Sequence, residues 1–110
     1  MNLTEDYCSF ELSKFLKEKG FKQEGCHKSY SMEGPVAPTH QMAMKWLRKI
    51  KKIFINIRYV PESKDDNISP CYVVDIYNEN NGSWVSNHIV STSFEVAAEE
   101  SLTFCLINLI

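Results

Sequence analysis

PTHQMAMKWLRKIKKIFINIRYV, residues 38–60, changes its hydrophobic period halfway along, and that change decides the fold. In the first half Ala43, Trp46, Leu47 and Ile50 recur at i, i+3, i+4 and i+7, the spacing that turns one helix face to a core. Thr39 follows a proline and is placed to cap this helix. From Ile53 the period falls to two: Ile53, Ile55, Ile57 and Tyr59 point one way, and Phe54, Asn56, Arg58 and Val60 the other. A run so rich in isoleucine and aromatic residues reads as a strand with its isoleucine face inward.

Beyond it, residues 61–70 form a polar loop bounded by prolines, and Tyr72, Val74 and Ile76 alternate with Val73, Asp75 and Tyr77 in a second strand. Asn81-Gly82 signals a hairpin, because both central residues of a type I′ turn need positive φ. Residues 84–90 return as a third strand, and the three make an antiparallel meander. Arg58 and Asp75 both lie off the isoleucine face or its equivalent and are placed to pair across strands if the register allows. The last helix opens with a capping box, Thr92 as N-cap and Glu95 at N3, and Glu95, Glu99 and Glu100 load its first half with negative charge that suits the dipole. Ala98, Leu102, Cys105, Leu106 and Leu109 form its core stripe. Phe104, Ile107 and Ile110 add apolar surface on another side, a candidate interface for a protein partner or for self-association.

Towards the N-terminus, Cys8, Leu12, Phe15 and Leu16 make one stripe of a helix over residues 7–19, with Gly20 placed as its left-handed terminator and Phe21 folding back beyond it. Residues 23–32 alternate in polarity and read as a strand at a sheet edge; residues 33–38, with two prolines, read as a loop. The expectation is one α+β domain over residues 1–110. It has a small antiparallel sheet of three to four strands packed with three helices, in the order α-β-α-β-β-β-α.

Composition narrows the function classes. At 110 residues, 44% hydrophobic and 24% charged, the chain is of ordinary globular type. A net charge of −2 argues against a general polyanion binder. No apolar run is long enough for a membrane span, and MNLTEDYCSF lacks the parts of a secretory signal, so a cytoplasmic protein without membrane contact is expected. Cys8, Cys26, Cys71 and Cys105 show no Cys-x-x-Cys spacing and read as reduced thiols, two disulfides in a secreted protein being the alternative.

One surface feature stands out. Lys45, Arg48, Lys49 and Lys52, with Lys51 beside them, line the outer side of the central helix, and no Asp or Glu lies between residues 39 and 60. Lysine and arginine at helical spacing can follow a nucleic-acid backbone. The commoner reading of such a row is a solvated face whose cations suit the C-terminal end of the dipole. The order helix, three strands, helix is shared with double-stranded RNA-binding modules. Those grip phosphates with lysines at the start of the last helix, where this chain has Thr92-Ser93-Phe94-Glu95.

Catalysis has little support. His27, His40 and His88 fall on three different elements, and His40 reads as a surface residue near a cap that is able to contact an anion. There is no metal-ligand motif, no nucleophile elbow and no glycine-rich phosphate loop, so neither enzyme chemistry, nor a metal, nor a cofactor is expected. Phe54, Tyr77 and Trp84 share the outer face of the meander, a patch suited to a protein partner or to base stacking, although the favoured reading is that a helix covers it, three helices being enough to cover parts of both sides of a small sheet.

PTHQMAMKWLR, residues 38–48, the isoleucine-rich strand after it, the Asn-Asn-Gly hairpin and the closing Cys-Leu-Ile-Asn-Leu-Ile together resemble a family of short uncharacterised proteins of gut bacteria and their bacteriophages. The resemblance implies an accessory or host-interaction role and carries over no catalytic or binding residue.

Overall fold

Residues 38–60 fold as a helix that runs into a strand. The structure, a computed structural model, describes residues 6–22, 28–29 and 36–110. Its elements are α1 (Phe10–Glu18), the two-residue strands β1 (Lys28–Ser29) and β2 (Val36–Ala37), α2 (His40–Trp46), β3 (Ile53–Val60), β4 (Cys71–Asn78), β5 (Ser83–Val85), β6 (Val90–Ser91) and α3 (Phe94–Asn108). This is the expected α+β class, with three helices and a four-stranded antiparallel sheet.

Thr39 caps α2, its Oγ1 accepting from the Met42 N–H at 3.1 Å. After Trp46 the helix widens into a π-helical turn, Leu47–Lys51, then leaves through Lys52 in the left-handed region (φ 59°) straight into β3. The wider turn rotates every later side chain away from its α-helical position. The expected core face is corrected accordingly: Ala43, Met44 and Leu47 are buried, Trp46 is half-buried, and Ile50 is 63% exposed.

α1 is shorter than the stripe suggested, because Ser9 caps it by accepting from the Leu12 N–H at 3.1 Å. At its other end Gly20 (φ 101°) donates to the Lys17 carbonyl and Phe21 to the Leu16 carbonyl, the paired closure of a Schellman motif, and Phe21 packs into the core. A Cβ on Gly20 would meet open space, so only backbone conformation resists it. Gly20→Ala is therefore expected to cost about 1 kcal/mol in urea unfolding, with no change in far-ultraviolet circular dichroism.

The sheet runs β3-β4-β5, with β6 also on β4. The third strand expected over residues 84–90 is thus two short segments on one side of β4. Between them the Asn87 side chain bridges the Val85 carbonyl and the Ile89 N–H. The hairpin sits where Asn-Gly marks it, but Asn78 pairs with Ser83 across a four-residue loop. Only Gly82 takes positive φ; Asn81 instead accepts from the Ser83 N–H and hydroxyl. At α3 the cap is Ser93, one residue later than expected. β6 continues through Ser91, whose hydroxyl accepts from the Ser93 N–H, so Ser93 rather than Thr92 meets the Val96 N–H. The expected strand over residues 23–32 lies mostly outside the described residues; Lys28–Ser29 pair with Val36–Ala37, apart from the main sheet.

Ile53, Val74 and Ile76 form the buried face of the sheet, packed with Leu12 and Leu16 of α1 and Leu102, Cys105 and Leu106 of α3 in one core. The shortest dimension is 19 Å, that of one sheet plus one layer of helices. The helices pack on this face and leave the other open, a correction to the helical cover that the sequence predicts there.

Candidate functional site

The cationic row spans the end of α2, the π-helical turn and its exit. Lys45 projects from α2, Arg48 and Lys49 from the widened turn, and Lys52 from the left-handed exit, while Lys51 lies over the Trp46 ring at 5.6 Å. Among the described residues no carboxylate pairs with Lys45, Arg48, Lys49 or Lys52, the acidic loop of Glu62, Asp65 and Asp66 included. The three residues expected to form an apolar interface differ in exposure. Ile110 and Phe104 pack against the core and Ile107 is 60% exposed. Phe104 and Ile107 line a shallow depression of about 380 Å³ beside Ile89 and Thr103.

The open face of the sheet is a more coherent surface. Strand register places Phe54 opposite Tyr77 and Tyr77 opposite Trp84, one aromatic row across three strands on the side away from the helices. Tyr77 and Trp84 touch with ring centroids 5.1 Å apart. Trp84 is 71% exposed and Phe54 38%. Arg58 pairs with Asp75 at 2.9 Å beside this row, the cross-strand pair anticipated from parity, here diagonal because Arg58 faces Val73. Val73 and the exposed Val90 follow, also in register.

The other assembled site went unseen in the sequence. His40, expected at the surface, is 5% exposed, because the chain before α1 pairs with the start of α2. Tyr7 bridges Thr39, the Cys8 N–H donates to the Pro38 carbonyl at 2.9 Å, and the His40 N–H donates to the Asp6 carbonyl at 3.0 Å. α3 then brings Glu99 to the same place. The Glu99 Oε1 accepts from the Ser9 N–H at 2.7 Å and lies 3.1 Å from His40 Nε2; its Oε2 accepts from the Ser9 hydroxyl at 2.8 Å. The carboxylate thus sits against the N-terminus of α1, where the dipole favours an anion. Burial pushes the Glu99 carboxyl up, but the hydrogen bonds from His40 and from the Ser9 N–H and hydroxyl outweigh it and hold the group below its ordinary value of 4.5.

Cys8 lies fully buried beside this pair, and its Sγ, a ring nitrogen of His40 and a carboxylate oxygen of Glu99 all fall within 4.8 Å of one another. The pair opens on a depression of about 330 Å³ whose rim carries Asp6 and Glu95. Glu95 is held below the ordinary carboxylate value by its own backbone N–H and the Ser93 hydroxyl. Nothing local in the sequence announces this cluster: residues 8, 40 and 99 come from three segments, and only the backbone pairing of residues 6–8 with residues 38–40 unites the first two. Comparison with family models, curated proteins and solved structures found no match for the chain. Among the described residues no helix is long and apolar enough to cross a membrane.

Proposed function

We propose that the protein acts by binding, as a small interaction module whose contact surface is the open face of the sheet, and that its first partner is a second copy of itself. The observation that carries this reading is the exposed row Phe54, Tyr77 and Trp84, in register on the side the helices leave bare. Large aromatic side chains with little rotamer freedom are the residues that carry most of the energy at protein interfaces. The accessory role that the phage and gut-bacterial resemblance implies fits such a module, acting in the cytoplasm.

Nucleic-acid binding through Lys45, Arg48, Lys49 and Lys52 is the second reading, favoured by their lack of carboxylate partners among the described residues. A protein surface comes first because the open face carries Asp75, already paired with Arg58, at its centre. Light scattering across a concentration series separates the two. Trp84→Ala is expected to weaken dimerisation at least tenfold with little change between low and moderate salt, about 1.4 kcal/mol or more of interface energy. A monomer at every concentration sinks the self-association reading. A mass increase with a mixed DNA and RNA pool, lost on adding salt and on Lys49→Glu, transfers the function to the basic face.

A further inference from the structure

The geometry points to a site for a divalent transition-metal ion of the zinc class at Cys8, His40 and Glu99, with solvent in the fourth position. Thiolate, imidazole and carboxylate are the donor set that a borderline-soft ion takes, and a hard ion such as calcium or magnesium does not use a thiol. Bonds of about 2.0 Å to nitrogen and oxygen and about 2.3 Å to sulfur give a tetrahedron with edges of about 3.3–3.5 Å. His40 Nε2 and Glu99 Oε1 already stand 3.1 Å apart, and no pair in the trio exceeds 4.8 Å. The widest pair thus has to close by little more than about 1 Å, a movement that rotation of one short side chain provides.

The surroundings also suit an ion. Ser9 holds Glu99 through two hydrogen bonds, the outer-shell support that fixes a ligand's direction. The backbone clamp between residues 6–8 and residues 38–40 sets Cys8 and His40 relative to each other before any ion arrives. The depression with Asp6 and Glu95 on its rim gives a negatively charged way in and leaves one coordination position open to water. Three protein ligands with an open fourth position is the pattern of a reactive zinc site rather than a closed structural one.

The test uses the full chain with Cys26→Ser and Cys71→Ser, which takes two thiols outside the trio out of the readout. Cobalt(II) titration is expected to saturate at one ion per chain with a thiolate-to-metal charge-transfer band and the visible spectrum of a four-coordinate ion. Zinc should displace it. X-ray absorption of the zinc-loaded chain is expected to show one sulfur and the rest nitrogen or oxygen. In the same background, Cys8→Ser should abolish the charge-transfer band, His40→Gln should weaken binding at least about 100-fold, and Ser9→Ala about tenfold through loss of orientation. A band that survives Cys8→Ser overturns the site. So does a zinc shell without sulfur, or the absence of saturable binding at equimolar metal; both are read on chains that keep all three ligands and do not depend on how the ligand variants fold.

Discussion

Ile76→Ala is expected to lower the unfolding free energy by about 4 kcal/mol, a large share of the roughly 5–15 kcal/mol that a domain this size has. Ile76 is fully buried on β4, the central strand, with Ile55 and Val85 as its cross-strand neighbours on the same face. Cutting its side chain back to a methyl leaves a hole that the sheet on one side and α3 on the other are poorly placed to close. Ile76→Val should cost about 1 kcal/mol, since one methylene is lost and branching is kept. Ile50→Ser is the informative contrast. Helical spacing makes Ile50 a core residue, but the π-helical turn leaves it 63% exposed, and the substitution should change stability by under about 0.5 kcal/mol. Urea unfolding reads all three, as shifts in midpoint at constant slope. A cost above about 2 kcal/mol for Ile50→Ser would contradict the widened turn.

That contrast shows where the sequence stops speaking. Period, caps and turn residues are local, so the helices, the strand parity and the hairpin position were readable from neighbours in the chain. Gly20 and Phe21 closed α1 as their types require, and Arg58 met Asp75 because side-chain alternation survives folding. The π-helical turn was not readable, since inserting one residue into a helix leaves no mark in residue type when every candidate residue is a good helix former. Ser93 and Thr92 are equivalent as caps on paper; only the extent of β6 chooses between them. The site was less legible than the fold. His40 looked like surface because burial of a helix start depends on which remote segment crosses it, here residues 6–8. Cys8 looked like core and Glu99 like a dipole-compensating acid, and both descriptions hold. What they omit is that the three side chains converge.

Glu99→Ala is expected to cost about 3 kcal/mol at neutral pH, measured with a chelator present so that no metal contributes. One carboxylate serves the Ser9 N–H, the Ser9 hydroxyl and His40 Nε2, so its removal leaves polar groups of two helix starts without an acceptor, one of them on a ring that is 5% exposed. Glu99→Gln keeps the shape but has only one acceptor oxygen, and should cost about 1–2 kcal/mol. The pH dependence separates charge from shape. Because the folded-state carboxyl is held below 4.5, its contribution is fully present above that value and is lost as pH falls through the depressed one. The gap between wild type and Glu99→Gln should therefore shrink as pH falls below about 4.5. Asp6 and Glu95 face the same depression, and the lowered Glu95 adds acid sensitivity of its own. That part is common to wild type and variant, so the difference between them isolates Glu99. A Glu99→Gln chain more stable than wild type at pH 7 would mean that the burial of the charge outweighs its three hydrogen bonds, and that the pocket holds its carboxylate at a loss unless a cation is bound.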